Sequence, residues 1–370
     1  MIKGVVSTGL RMPVFKEGDD IAEIISNSII TDARELNLHD KDVICITESV
    51  VARTTGNYVS VDNIAHDVRE YFNEIESNGI DLWLWNPIYS RNRFSLILKG
   101  IARAAKKLHI VLNEKDEVGN AIYNKFTGIN IRDFYTDVVT AENCEIEFCT
   151  VDEFMTSATN IIVCSCHPEN DEVAKRLADD SWRSVVYLSE ICSKENAAYG
   201  YHGYNEEYGV LGSNKATEDT LKLFPRKSVC KEIINTIQNN IKEKLGVHVE
   251  VMVYGDGCFK DPVGGIWEFA DPVVAPAYTD GLEGTPNEIK LKYLVDNELS
   301  DIDEKIELAS KVKDAIIKKE KNLVGKMTSE GTTPRRYVDL LGSLADLTSG
   351  SGDKGTPVVL IQNYFKNYAS

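Results

Sequence analysis

Residues 40–47 are DKDVICIT, a charged turn followed by a run with no charged side chain. A short apolar run of this length after a turn is typical of a strand that is buried on both faces. Residues 17–25, EGDDIAEII, combine a turn, an acidic start and apolar residues at helical spacing, a pattern that begins a helix. With a short strand before this helix, residues 1–60 are predicted to begin with a strand, a helix and a buried strand.

Short strands and helices alternate further along the chain. The pattern predicts strands at 145–149, 161–166 and 185–191, with helices at 151–157 and 171–178 between them. Such alternation predicts an α/β layer of its own. Later elements are a helix at 229–245, a strand at 247–254, a long helix at 301–321, a helix at 337–347 and a last strand at 358–362. A length of 370 residues favours two or three domains.

Composition excludes several classes of partner. The chain carries 41 Lys and Arg against 58 Asp and Glu, a net charge of −17. We expect no binding to nucleic acid, which needs clustered basic residues, and none to anionic membranes. No run approaches the roughly 18 apolar residues of a membrane helix. Residues 1–20 do not resemble a signal peptide, so a cytoplasmic location is expected.

The glycine-rich stretch 255–265 is the first candidate site. Gly255 and Gly257 would let the backbone approach a phosphate, Lys260 would neutralise it, and Asp256 could hold Mg²⁺. The stretch is neither a Walker loop nor a Gly-x-Gly-x-x-Gly turn that opens a helix. A surface hairpin loop is an equally good interpretation.

A second candidate joins two segments. Arg91 and Arg93 lie in a loop before a helix, where two guanidinium groups could grip a carboxylate or a phosphate. Asp116 and Glu117 follow a predicted strand and could ligate a hard metal ion. Surface arginines and a solvated acidic turn are the alternative.

A third candidate lies near the C-terminus. Residues 328–336, TSEGTTPRR, place hydroxyl groups, a glycine, Arg335 and Arg336 before a helix, where unpaired N–H groups favour anions. A second loop, SGSGDKG at 349–355, places Lys354 before the last strand. Both loops are unusual in an acidic chain and favour an anion site.

Residues 164–167, CSCH, suggest a metal site, but no second pair of ligands accompanies them. Two buried thiols at a strand end are the favoured interpretation. An unrelated α/β enzyme with its chemistry near these thiols is the weakest hypothesis.

In order along the chain, several motifs resemble those of the coenzyme F420-0:L-glutamate ligase (gamma-glutamyl ligase) family. The strand 43–47 and the following VVARTTG at 50–56 are similar to the family's D-G-D-V-L and V-V-S-K-A-E-G. YGVLGSN at 208–214 is similar to A-G-I-D-x-S-N, and 251–265 lies where the family has S-D-S-x-G-R-P. The resemblance covers residues 1–105 and 200–365, and 106–199 resembles an insertion.

The resemblance implies an α+β, mixed-sheet fold with a core of residues 1–105 plus 200–370 and an inserted α/β subdomain at 106–199. It also implies a homodimer that joins L-glutamate to a small-molecule carboxylate through an acyl phosphate. The co-substrate would be GTP or ATP, and the metal Mg²⁺ or Mn²⁺.

The three candidate sites and the resemblance together give the expected roles. From the local chemistry of their loops, Lys260, Arg91 and Arg93 would be catalytic, and Asp116 and Glu117 would hold the metal together with Asp256, which the resemblance also supports. The nucleotide would be bound by Gly255, Gly257, Arg335 and Arg336, and by Arg53, Ser213 and Asn214, which lie in the segments similar to family motifs.

One departure from the family supports an alternative. The metal-binding Asp of A-G-I-D corresponds to Leu211, which cannot ligate a metal. A non-catalytic or regulatory protein that binds a small molecule on the same scaffold is therefore the second hypothesis.

Overall fold

The computed structural model describes residues 4–73, 79–195, 203–255, 258–261, 263–269, 275–330, 335–350 and 352–370. The strands are β1 Val6–Leu10, β2 Val43–Thr47, β3 Tyr58–Ser60, β4 Ile80–Trp85, β5 Ala105–Ile110, β6 Glu145–Phe148, β7 Asn160–Val163, β8 Ser184–Tyr187, β9 Ser213–Lys215, β10 Thr220–Leu223, β11 Glu250–Tyr254, β12 Cys258–Lys260, β13 Trp267–Phe269, β14 Ala277–Tyr278 and β15 Val358–Gln362.

The helices are α1 Ile21–Thr31, α2 Ala33–Leu36, α3 Glu48–Thr54, α4 Val61–Tyr71, α5 Arg93–Ala104, α6 Ile131–Thr140, α7 Val151–Ser157, α8 Glu172–Asp179, α9 Lys227–Leu245, α10 Leu291–Tyr293, α11 Lys305–Lys318 and α12 Tyr337–Thr348. Among the described residues, no helix combines the length and the apolar character that crossing a bilayer requires.

A mixed sheet in the order β1-β15-β2-β11-β14 forms the core. Strand β2 pairs parallel to β11 and antiparallel to β15, and all of its residues are buried, as the run at 43–47 predicts. Helices α1 and α9 pack on one face of this sheet, and α12 packs on the other. Side chains that alternate along each strand therefore fill two separate layers of core.

The α/β layer is a parallel sheet in the order β6-β5-β4-β7-β8. The chain runs outward from β4 to β6, then returns to the other side of β4 for β7 and β8. Helices α5 and α6 pack on one face, and α7 and α8 pack on the other. This is the doubly wound arrangement, in which the winding reverses between the first and fourth strands, here β4 and β7.

The parallel sheet already begins at Ile80, within the segment 1–105 that the resemblance assigns to the core. The predicted division at 105/106 falls within β5, after its first residue, and β5 pairs with β4. We therefore propose that the inserted layer starts near residue 79. The α+β class is confirmed.

Two small sheets complete the fold. Strands β3, β10 and β9 form one of them, with β10 in the middle. The other is the hairpin of β12 and β13. The first of these sheets joins a strand that precedes the parallel layer to two strands that follow it.

Helices α4 and α5 approach closely at Gly100. A Cβ atom added there would lie 2.6 Å from Cγ2 of Ile64 and 3.2 Å from the carbonyl oxygen of Val61. We expect Gly100→Ala to destabilise the protein, because overpacking costs about 1–3 kcal/mol and the gain in helix propensity is only about 0.5–1 kcal/mol. Urea unfolding would measure the loss. Gly352→Ala, with no heavy atom within 4 Å of the new Cβ, is the matched control and should leave the midpoint unchanged.

Candidate functional site

Several loops meet at one edge of the mixed sheet. Tyr254 of β11 lies opposite Thr47 of β2, so both strands end at this edge. The N–H of Thr47 donates to the carbonyl of Pro357 at 3.1 Å, and the N–H of Met12 donates to the carbonyl of Gly355 at 3.0 Å. The loop that follows β1, the start of α3, Gly255 after β11 and the loop that precedes β15 are therefore neighbours.

A groove opens at this edge, and we call it the Arg53 groove. It consists of a cavity of about 560 Å³ and an adjoining cavity of about 260 Å³ that share Ser49, Arg53 and Tyr58. The larger cavity is lined also by Glu17, Asn214, Lys215, Ala216, Thr217, Thr220 and Lys222. The smaller is lined also by Met12, Pro13, Val14, Phe15, Val50, Gly352, Gly355 and Pro357.

The cations of the groove come from two elements. Arg53 is exposed in the last turn of α3, and Lys215 and Lys222 belong to the hairpin β9–β10. Lys222 forms an ion pair with the buried carboxylate of Glu48, the first residue of α3. This ion pair fixes the hairpin against α3, so the groove has a defined wall.

Two predicted nucleotide-binding residues lie beside Arg53. Asn214 lines the groove, and the preceding Ser213 is buried, with its hydroxyl donating to the carbonyl of Val210 at 2.7 Å. Sequence reasoning missed Glu17, Lys215 and Lys222. The two lysines flank a turn in an otherwise acidic chain, a signal that the sequence contains.

Arg91 and Arg93 connect the parallel layer to the core. Nη1 of Arg91 lies 2.8 Å from Oδ2 of Asp261, which follows β12. Nη1 of Arg93 donates to the carbonyl of Leu211 at 2.9 Å, and the side chain of Arg93 is buried. These contacts favour a role in holding the segments around Leu211 and Asp261, and a catalytic role stays a prediction.

Asp116 is occupied within its own loop. Its Oδ1 accepts hydrogen bonds from the N–H groups of Val118 and Asn120, and its Oδ2 accepts from the N–H of Tyr89 and from Nδ2 of Asn120. Burial raises the pKa of this carboxyl group although these donors oppose the shift. The arrangement is that of a loop anchor, and metal binding by Asp116 stays a prediction.

Glu117 joins strand ends of the parallel sheet. Its Oε1 accepts from Nδ2 of Asn86 at 3.1 Å, and its Oε2 accepts from the N–H of Cys166 at 2.6 Å. Asn86 follows β4, and Cys166 lies shortly after β7. Glu117 therefore bridges the switch point of the layer, beside a cavity of about 490 Å³.

Arg335 and Arg336 lie just before α12. Arg336 pairs with Asp339 at 2.8 Å, and Nη2 of Arg335 donates to Oγ of Ser343 at 2.8 Å. Both side chains thus contact the helix that they precede. Their role as an anion site stays a prediction.

The glycine-rich stretch is only partly described. Gly255 is buried at the end of β11, next to the end of β2, and Lys260 closes β12, opposite Trp267. The predicted metal ligand Asp256 and the predicted phosphate contact Gly257 lie outside the described residues.

The two thiols near the end of β7 differ in exposure. Cys164 is fully buried, and burial raises its pKa well above the ordinary value. Cys166 is half-buried, and burial raises its pKa to about 12. The interpretation as two buried thiols is therefore right for Cys164 and wrong for Cys166, which keeps part of its surface exposed.

Comparison with curated proteins gives no match. The model of one family, F420-0:Gamma-glutamyl ligase, matches residues 9–363, which is nearly the whole chain. That match supports a ligase that acts on small molecules such as glutamate. The chain belongs to the F420-0:gamma-glutamyl ligase family.

Proposed function

We propose that the protein is a nucleotide-dependent ligase that joins L-glutamate to a small-molecule carboxylate. The observation that carries the proposal is the Arg53 groove, where Arg53, Asn214 and the loop before β15 come together from distant parts of the chain. Arg53 and Asn214 each belong to a segment with a family motif. A groove built from such segments is the natural place for the reaction of the family.

The reaction divides into two transfers. A carboxylate oxygen of the acceptor attacks the γ-phosphorus of GTP or ATP, and the nucleoside diphosphate leaves. The amine of glutamate then attacks the acyl carbon, phosphate leaves and the amine loses a proton. Such chemistry needs in-line positioning and neutralisation of charge more than covalent help from the protein.

The groove supplies that neutralisation. Arg53 and Lys215 bring positive charge to the groove in a protein whose net charge of −17 otherwise repels a nucleotide. Arg53 would fork onto phosphate oxygens, since a guanidinium group matches their geometry. Asn214 and Ser213 would orient the nucleotide or the acceptor.

A divalent metal needs oxygen ligands in the same place. The carboxylate of Glu17 lines the groove, and Asp256 follows Gly255 in the sequence, so we propose these two as the ligands of Mg²⁺ or Mn²⁺. The ion would neutralise charge on the phosphates. Gly255, Gly257 and Lys260 would contact the phosphates from the same loop.

A second candidate function rests on Leu211. Its side chain is buried in the hydrophobic core, at the position where the family has a metal ligand. A protein that binds an anionic metabolite without catalysis would need no ligand there. The measurements below distinguish the two functions.

Nucleotide binding should raise the melting temperature. At a ligand concentration of 100 Kd, binding to the native state adds about 2.7 kcal/mol of stability, which corresponds to a shift of several degrees. We expect this shift with GTP or ATP only when Mg²⁺ or Mn²⁺ is present. No shift with any metal–nucleotide pair at millimolar concentration would contradict the proposal, and a shift with anionic metabolites alone would favour the non-catalytic function.

Arg53→Ala should weaken nucleotide binding by about 10- to 100-fold, because a hydrogen bond to a charged group contributes about 1.5–3 kcal/mol. Arg53→Lys should recover part of the loss. Titration of each variant with a fluorescent GTP analogue gives the Kd. Arg176→Ala, at an exposed position of α8, is the control and should bind as the unchanged protein does. Equal Kd values for Arg53→Ala and the control would exclude Arg53 from the site.

We further propose a cytoplasmic homodimer, from the family resemblance. Sedimentation at micromolar concentration should give twice the mass of the 41.3 kDa chain. A monomer at every concentration would refute the dimer without affecting the proposed reaction.

A further inference from the structure

The edge of the parallel sheet holds a group of metal-binding side chains outside the Arg53 groove. In the pairing of β5 with β6, His109 lies opposite Glu147. Cys149 comes two residues after Glu147, and residues two apart share a face of a strand. Cys149 directly follows the edge strand β6, and its N–H still donates to the carbonyl of Ile110 in β5 at 3.0 Å. Glu147, Cys149 and His109 thus place a carboxylate, a thiol and a nitrogen together.

The two distances from the histidine nitrogen are close to those of a tetrahedral zinc site. Nδ1 of His109 lies 3.7 Å from Sγ of Cys149 and 3.2 Å from Oε2 of Glu147. The ligating atoms of the three residues all lie within 4.8 Å of one another. Zinc–ligand bonds of ordinary length at tetrahedral angles give edges of about 3.5 Å for nitrogen to sulfur and about 3.4 Å for nitrogen to oxygen. A single zinc ion could therefore bind Nδ1 of His109 together with either of the other two donor atoms at ordinary bond lengths.

The surroundings fix the orientation of the histidine. The ring of Trp83 stacks on His109 with centroids 4.0 Å apart and an angle of 12° between the planes. A metal-binding imidazole is held in one orientation by its neighbours, so this stacked ring suits a zinc ligand.

The local charge also favours a cation. The charged groups that act on His109 and Cys149 are Lys107, Asp81, Glu147 and Glu153, which is an excess of carboxylates. Of these four groups, only Lys107 is a cation, and it would compete with the metal for Glu147, because its ammonium group lies 2.8 Å from Oε2 of that residue. The side chain of Lys107 is half-buried and flexible. A metal ion at Oε2 could therefore displace the ammonium group toward Oε1 of Glu147.

We propose that His109, Glu147 and Cys149 bind zinc, with water as the fourth ligand. The thiol of Cys149 releases its proton to solvent on binding, and the thiolate coordinates the ion. Mixed nitrogen, sulfur and oxygen ligands select zinc over the Mg²⁺ or Mn²⁺ of the proposed reaction, which prefer oxygen. The ion would link the edge strand β6 to β5 and so stabilise the parallel layer.

Cobalt is the spectroscopic probe, because Zn²⁺ itself is colourless and Co²⁺ adopts the same tetrahedral site. Full-length protein, stripped of metal with a chelator and kept reduced, is titrated with Co²⁺. We expect saturation at one equivalent, ligand-field bands of four-coordinate Co²⁺ in the visible and a sulfur-to-cobalt charge-transfer band in the near ultraviolet. Zn²⁺ should bleach all of these bands and raise the melting temperature.

Cys149→Ser tests the assignment with the smallest change of shape. It should abolish the charge-transfer band and weaken Co²⁺ binding by at least about tenfold, since even outer contacts of a metal site contribute that much. Cys166→Ser is the matched control, a cysteine of similar exposure near the end of β7, and should keep the band. Circular dichroism of each variant without metal confirms that it is folded.

Lys107→Met distinguishes the proposed site from nonspecific binding of Co²⁺ to a thiol, because only the proposed site includes Glu147. Removing the ammonium from Glu147 should tighten Co²⁺ binding by about two- to fivefold, the size of a surface ion pair. The proposal is refuted if wild-type protein shows no charge-transfer band, if the band survives Cys149→Ser, or if Lys107→Met weakens binding. Nucleotide binding at the Arg53 groove is measured separately, so either proposal can fail alone.

Discussion

The burial of β2 is the constraint on which the rest of the structure depends. All of its residues are buried, so its N–H and C=O groups on both edges must be paired within the protein. Ile46 meets Val253 of β11 on one side and Val358 of β15 on the other. Both partners come from beyond the parallel layer, so the chain must return to β2 twice. The Arg53 groove lies where these two returns bring their loops together.

The three cations of the Arg53 groove have different partners at this edge of the sheet. Lys222 neutralises Glu48, which is buried at the start of α3, because a buried carboxylate is costly without a partner. Lys215 pairs with the exposed Glu218 at 2.9 Å, an interaction that water screens and a ligand can replace at small cost. Arg53 stands exposed between them and the loop before β15. The groove thus has one cation that holds the scaffold and two that can meet an anion.

Local patterns predicted much of this fold, and long-range contacts explain what they missed. The strand at 43–47 and the helix at 151–157 have the predicted bounds, and the predicted helix at 337–347 differs from α12 by one residue. The start of the parallel sheet at Ile80 was missed, since the charged Asp81 interrupts the apolar run of β4. The pairing of Arg91 with Asp261 joins residues 170 positions apart, and no local pattern contains it. Site residues that depend on such pairings need the structure.

The switch point of the parallel layer is also where this layer contacts the core. In doubly wound sheets the crevice at the carboxyl ends of the strands, where the winding reverses, is the usual place for a ligand. Here the loop that leaves β4 at that end carries Arg91, and Arg93 begins α5; their side chains bind Asp261 and the carbonyl of Leu211 in the core. This part of the crevice therefore positions the segment that leads into Ser213 and the groove. Since none of the described residues 79–195 lines either cavity of the groove, the inserted layer serves the groove through these two arginines, by fixing a segment that does line it.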